Sequence, residues 1–323
     1  MAKSRIVPVT LVTGFLGAGK TTLLNHLLET ESKRRFAIIE NEFGDVGVDG
    51  SLIGAPADTI FELNDGCVCC TVYQDLIEVF KELGDRQGEF DHVLIETTGL
   101  ADPGPVIRLF ASPELRELFR LDGVVTVVDA QHIQESLDEV SAFAEQGSFA
   151  GLLILNKVDR LGEHEVQAIE ERMKKLNPLA LVLRTEHAAV DSRAVFDLRQ
   201  RSEAAGLFFR PLPVNDTHRH DDSISSVVVD GDGDVDVAAL DLWLGRLARA
   251  RMPRILRMKG LLAVPGEARR FVFNGVRRSL DVRPDRVWDH EPRKSRIVFI
   301  GKGLDPIALR TGFEACLVSN KRL

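Results

Sequence analysis

Residues 14–21 read Gly-Phe-Leu-Gly-Ala-Gly-Lys-Thr and follow directly on the apolar run Val7–Val12. A strand, a glycine-rich turn spaced G-x-x-x-x-G-K-[ST] and a helix opening at its end form a phosphate-binding loop. Gly14, Gly17 and Gly19 let the backbone bend so that its N–H groups turn onto phosphate oxygens. Lys20 adds a point charge at the β- and γ-phosphates, and the Thr21 hydroxyl is placed to hold Mg²⁺. Ala18 and Thr22 complete the phosphate-facing stretch. Thr21–Leu28 has helical spacing, so the positive end of a helix dipole lies beneath the phosphates.

The strand–turn–helix unit repeats in kind along the first two-thirds of the chain. Strands are expected at Val7–Val12, Phe36–Glu40, His92–Glu96, Gly123–Asp129, Gly151–Asn156 and Leu181–Arg184. Helices are expected at Thr21–Leu28, Gln74–Leu83, Pro105–Leu109, His164–Leu176 and Val190–Leu198. This alternation implies an α/β fold of the P-loop NTPase kind, a mainly parallel, doubly wound sheet with helices on both faces. A chain of 323 residues exceeds one ordinary core, and two domains are expected. Residues 1–210 read as the nucleotide domain and 211–222, rich in Pro and polar residues, as a linker. Residues 223–323 read as a smaller α+β domain. There, strands Ile224–Val229, Ile255–Val264, Arg269–Leu280 and Ser295–Ile300 and helices Val237–Ala250 and Pro306–Leu317 give the order β-α-β-β-β-α.

Two further segments choose the nucleotide. Leu152–Asp159 is an apolar strand ending in Asn156-Lys157-Val158-Asp159. A carboxylate at Asp159 can accept from both the N1–H and the exocyclic amine of guanine. Adenine lacks that pair of donors and would leave the carboxylate unsatisfied. Asn156 and Lys157 brace the loop and cover the base plane. The strand His92–Ile95 runs into Glu96-Thr-Thr-Gly99, where Glu96 can contact the magnesium shell and the Gly99 N–H can meet the γ-phosphate. Leu100 stands where many small GTPases have a water-orienting Gln, so slow basal hydrolysis is expected. Asp129 also ends a strand, with no role assigned by the sequence.

A second chemistry lies in Gly66-Cys-Val-Cys-Cys70, which puts three of the chain's four cysteines into four residues. Thiolates suit zinc, copper(I) or iron–sulfur chemistry. Cys67, Cys69 and Cys70 cannot all reach one tetrahedral ion without strain, so other ligands are expected. Glu40-Asn-Glu-Phe-Gly-Asp45 follows a strand and occupies the place of a switch segment. A site of Glu40, Asp45 and a thiolate would therefore sense nucleotide state. The linker pair His218 and His220, with Asp221 and Asp222, offers an accessory metal site but reads first as a solvated loop, and Cys316 reads as a core residue. Asp230–Asp236 resembles a calcium loop but lacks Gly at its sixth position and Glu at its twelfth.

Composition narrows the partners. No apolar run reaches the roughly 18 residues of a membrane span, and no signal peptide precedes the loop, so an intracellular, cytoplasmic protein is expected. Residues 223–323 carry 19 Lys and Arg against 12 Asp and Glu, while residues 1–222 carry 22 against 37. The acidic part argues against nucleic acid and suits cation handling.

With those segments in place, the chain resembles the CobW-type GTPases, relatives of the UreG and HypB metallochaperones. The resemblance rests on Gly-Phe-Leu-Gly-Ala-Gly-Lys-Thr-Thr, Glu-Asn-Glu-Phe-Gly-Asp, Gly-Cys-Val-Cys-Cys, Glu-Thr-Thr-Gly-Leu-Ala-Asp-Pro and Asn-Lys-Val-Asp, in that order, and on Ile224–Val229 and Arg296–Gly301 near the C-terminus. It implies GTP hydrolysis coupled to delivery of a metal, often zinc, to an apo-metalloprotein client. By position it puts the zinc carboxylates on Glu40 and Asp45 and the central thiol on Cys69. The family commonly has Glu where this chain has the shorter Asp45. Two other readings follow from the same residues: a regulatory GTPase switch with a structural or sensory zinc site, and a cobalt-insertion factor for corrin synthesis. A nucleotide- or metal-dependent homodimer is a further partner to consider.

Overall fold

The computed structural model describes residues 6–40, 60–62, 71–97, 102–133, 141–198, 224–249, 254–276, 279–288 and 291–318. The chain divides into two compact units, one of Met1–Lys174 with Leu179–Ala205, the other of Lys175–Pro178 with Gly206–Leu323.

The first unit is built on a seven-stranded sheet. Its strands are β1 (Val7–Thr13), β2 (Phe36–Glu40), β3 (Ile60–Glu62), β4 (His92–Glu96), β5 (Phe119–Asp129), β6 (Leu152–Asn156) and β7 (Leu181–Thr185). The helices between them are α1 (Lys20–Thr30), α2 (Thr71–Asp85), α3 (Gly104–Leu109), α4 (Pro113–Arg116), α5 (Ser141–Phe149), α6 (Glu163–Leu176) and, after β7, α7 (Ser192–Val195). Every residue of β2, β4 and β6 is buried, as strands covered on both faces require.

The strand order is β3-β2-β4-β1-β5-β6-β7, and all pairs are parallel. From β1 the chain passes outward to β2 and then β3, returns to insert β4 between β2 and β1, and crosses to the other side of β1 for β5, β6 and β7. Strands laid on both sides of β1 make the sheet doubly wound, with its ligand crevice at the carboxyl ends around β1. Val12 pairs with Glu96, Glu40 with Glu96, and Asp129 with Asn156, so these chemistry-bearing residues share one sheet edge. Beneath that edge, Leu23, Leu24 and Leu27 of α1 pack on Val12, Ile38, Leu94, Val125 and Ile154, and on Val195, Phe196 and Leu198 beyond β7. Each such side chain contributes about 1.5–3 kcal/mol on burial, which fixes the helix to the sheet.

The second unit is an antiparallel sheet of β8 (Ile224–Asp232), β9 (Arg254–Leu262), β10 (Arg269–Val276), β11 (Ser279–Val287) and β12 (Lys294–Lys302), ordered β11-β10-β9-β12-β8. Two helices, α8 (Val237–Arg249) and α9 (Pro306–Glu314), complete it. Alternate residues of the strands (Val227 and Val229, Ile297 and Phe299, with Phe273) join Leu240, Leu244, Leu309, Phe313 and Cys316 in one core. Asp236 and Asp305 start the helices: each accepts hydrogen bonds from the N–H groups two and three residues on. The acidic run Asp230–Asp236 thus ends a strand and caps a helix.

Two expected elements change. Arg269–Leu280 is not one strand but the hairpin of β10 and β11, with Val276 paired to Ser279. The order of the second unit is therefore β-α-β-β-β-β-α. The helix expected over Val190–Leu198 shrinks to one turn, Ser192–Val195, capped by the Asp191 side chain and ended by Phe196 in an extended conformation, with Asp197 beyond it left-handed at φ 58°. The short β3, α4 and α5 were not foreseen. Among the described residues, no helix is long and apolar enough to cross a membrane.

Candidate functional site

The turn after β1 takes backbone angles that side chains resist. Gly14 has φ 140° and Gly19 φ 108°. A Cβ on Gly14 would stand 2.1 Å from Val127 O of β5, and one on Gly19 would stand 2.5 Å from Asn156 Nδ2 of β6. The turn is therefore pressed against two neighbouring strands. Lys20 opens α1 and is only 7% exposed. Its Nζ lies 3.4 Å from Phe15 O of the same turn and 3.8 Å from Glu96 Oε1. The Thr21 hydroxyl donates to that same Glu96 oxygen at 3.5 Å. Lys20, Thr21 and Glu96, drawn from the first turn of α1 and the end of β4, thus converge on one point. A hydroxyl beside a carboxylate offers hard oxygen donors, which fit a magnesium ion.

The second wall comes from β5, β6 and β7. Asn156 is 2% exposed, and both its side-chain nitrogen and its oxygen have partners. Its Nδ2 donates to Ala18 O in the phosphate loop at 2.9 Å, while its Oδ1 accepts from Thr185 Oγ1 at 3.1 Å and from Ala188 N at 2.8 Å. Asn156 is a brace between loops. Lys157 follows in a left-handed conformation, φ 63°, and its Nζ donates to Asp129 Oδ2 at 2.7 Å. Asp129 also takes hydrogen bonds from Gln131 N and the His132 ring. Burial would raise its carboxyl, but Lys157, His132 and Gln131 together hold it below the usual range. The strand-end Asp that the sequence left without a role therefore fixes the lysine of the base motif. Asp159 lies in the one-turn helix Val158–Arg160 and is exposed, with its carboxylate free to meet a ligand from solvent.

Glu40 ends β2, one strand over from Glu96 and in register with it, and the two are 4% and 8% exposed. Asp45, Cys67, Cys69, Cys70, Gly99 and Leu100 lie outside the described residues, as do His218 and His220. Among the described residues, no group of three or more His, Cys, Asp or Glu side chains is arranged to hold a metal. Sequence reasoning missed Thr185 and Ala188, which bond Asn156, and His26 of α1, which bonds Val190; these partners are far apart in sequence and leave no local pattern.

Comparison with known proteins matches both units. Residues 8–184 fit the model of the CobW/HypB/UreG nucleotide-binding domain, and residues 224–317 fit the cobalamin synthesis protein cobW C-terminal domain. The zinc chaperone YjiA of Escherichia coli is 37% identical over 318 residues, covering 95% of this chain and 98% of that protein. The zinc chaperone CobW of Pseudomonas aeruginosa is 36% identical over 349 residues, covering 96% and 92%. The crystal structure of Zn(II)-bound YjiA GTPase from E. coli superimposes with a TM-score of 0.74 at 30% identity, over 97% of this chain and all of that one. The match of both units, and likeness to zinc chaperones along nearly the whole chain, show that this chain belongs to the CobW/HypB/UreG family.

Proposed function

We propose that this chain hydrolyses GTP and uses the cycle to deliver a metal ion, zinc, to a client metalloprotein. The observation that carries the proposal is the pairing of Glu40 with Glu96 across β2 and β4. Glu96 stands beside Lys20 and Thr21 at the phosphates, and Glu40 opens the segment that carries Asp45. Any rearrangement at the γ-phosphate is then one strand away from a cargo carboxylate. Likeness to zinc chaperones along nearly the whole chain supports zinc as cargo.

In this reading the N–H groups of residues 14–22 cradle the phosphates, with Gly14, Gly17, Ala18, Gly19 and Thr22 contributing backbone. The Lys20 ammonium stabilises charge that grows on the transferring phosphoryl group. Thr21, with Glu96 behind it, holds magnesium, which neutralises phosphate charge when bound. The Gly99 N–H contacts the γ-phosphate. Asp159 selects guanine, and Lys157, steered by Asp129, lays its stem along the base. Glu40, Asp45 and thiolate from the Cys67, Cys69 and Cys70 segment bind the cargo zinc, with Cys69 the central ligand and its two neighbours not all on the ion at once.

The test is competitive zinc titration of the protein loaded with GDP and with a non-hydrolysable GTP analogue. Zinc affinity is expected to differ between the two by about 1–3 kcal/mol, the usual coupling between linked sites. Equal affinities would show a static zinc site and end the delivery proposal.

A further inference from the structure

The segment that follows β7 is tied to α1 and the turn after it by three side-chain links. His26 Nε2 lies 2.7 Å from Val190 O and 3.2 Å from Val190 N, and the shorter contact makes Nε2–H the donor. Glu31 accepts a hydrogen bond from the Ser192 hydroxyl. The Arg34 guanidinium lies over the Phe196 ring, 4.4 Å from its centre. Apolar contact runs alongside, since Ala188 and Val190 share a core with Leu23, Leu24 and Leu27.

The first of these links holds something strained. His187 and Ala188 are consecutive non-glycine residues with φ 52° and 54°. One such residue is uncommon, and two in succession persist only where the surroundings over-determine them. Here the surroundings form two clamps. On the β6 side, Asn156 Oδ1 accepts from Thr185 Oγ1 and from Ala188 N. On the α1 side, His26 grips Val190, two residues beyond the strained pair and at the far end of the bend. Asn156 begins the Asn-Lys-x-Asp segment and also bonds Ala18 in the phosphate loop. α1 begins with Lys20. The bend is thus held from the base motif on one side and from the phosphate-loop helix on the other.

We infer that His26 is a positioning residue for nucleotide binding: its hydrogen bond to Val190 keeps the Glu186–Val190 bend seated on Asn156, so that the base-reading and phosphate-binding loops hold one geometry. The inference rests on the guanine-reading role proposed for Asn156, Lys157 and Asp159. It gives α1 a second duty, exercised from its middle turn rather than its N-terminus.

Steady-state GTP hydrolysis and thermal melting of His26→Ala, His26→Gln and Glu31→Ala test it. His26→Ala should raise KM for GTP by about 2- to 12-fold, the worth of one hydrogen bond, with a much smaller change in kcat. His26→Gln keeps a side-chain N–H of similar reach and should restore KM. Glu31→Ala cuts a link farther from the bend and should lower the melting temperature without moving KM. A His26→Ala protein with wild-type KM, or a folded His26→Gln protein as weak as the alanine variant, overturns the inference. Asp159→Asn separates it from the reading beneath it. If that variant gains no preference for xanthosine triphosphate, the base assignment fails and takes the inference with it. If the preference shifts and KM of His26→Ala stays put, only the role of His26 fails.

Discussion

β4 has a buried titratable side chain at each end, and the two ends treat burial differently. His92 opens the strand, 1% exposed, among Phe36, Phe196 and the Thr10 hydroxyl, which lies 2.8 Å from its Nε2. Burial, helped by Arg34 and Arg120, pushes its pKa down from 6.5 to about 3. The ring is kept neutral, so this end of the strand solves the cost of burial by carrying no charge. Glu96 closes the strand and meets an ammonium and a hydroxyl at 3.8 and 3.5 Å. That end sets its carboxyl beside a cation. One end of the strand serves the fold, and the other is poised for a highly charged ligand.

The largest effect that could break this contrast is at the charged end. Lys20→Ala should lower kcat for GTP by at least about 10²–10³-fold, the cost of removing one preorganised donor from a developing negative charge. Phosphate release by the folded variant is the measurement. Turnover within tenfold of wild type would make Lys20 a structural cation. The neutral end predicts a stability effect instead. Below pH 6.5 the unfolded chain binds a proton at His92 that the folded chain refuses until about pH 3, so stability falls as pH falls through that window. From this group alone, the wild type should lose about 2 kcal/mol between neutral pH and pH 5. Urea titrations at the two pH values should show the loss shrinking in His92→Gln. An unchanged pH slope would mean that the ring titrates normally in the fold. A smaller effect sharpens the charged end further. Asp129→Asn should weaken GTP binding by about 1 kcal/mol, roughly fivefold, because Lys157 loses a charged partner but keeps a polar one. Isothermal titration can resolve that, and unaltered affinity would detach Lys157 from the base.

Legibility followed the same division. Runs such as Leu152–Asn156 announce buried parallel strands by their unbroken apolar character, and the six longest strands of the first unit appear where those runs stand. β3 is only three residues long, too short for any period to emerge. The β10–β11 hairpin hid because Val276-Arg-Arg-Ser279 contains no Gly, Pro, Asn or Asp to mark a turn. In the candidate site, the glycine turn and Asn-Lys-x-Asp could be read because local spacing carries their chemistry. Asp129 could be seen but not interpreted, since its partner Lys157 lies 28 residues away. His26 had no signal at all: its partner is a backbone carbonyl 164 residues on, and backbone partners leave no mark in a sequence.

The wedging of Gly14 against Val127 has a consequence for how the protein is made. The motif is spelled out once residue 21 leaves the ribosome, yet its geometry depends on strands far downstream. β1 is flanked by β4 and β5, and the carbonyl that faces Gly14 belongs to β5. A nascent chain that ends before His92 has neither flank, and one that ends before Phe119 lacks the wall against which the turn closes. Contacts this distant in sequence form late, because the intervening chain must first be synthesised and its loop closed. The phosphate-binding turn is encoded early and acquires its shape only once β5 and β6 are in place.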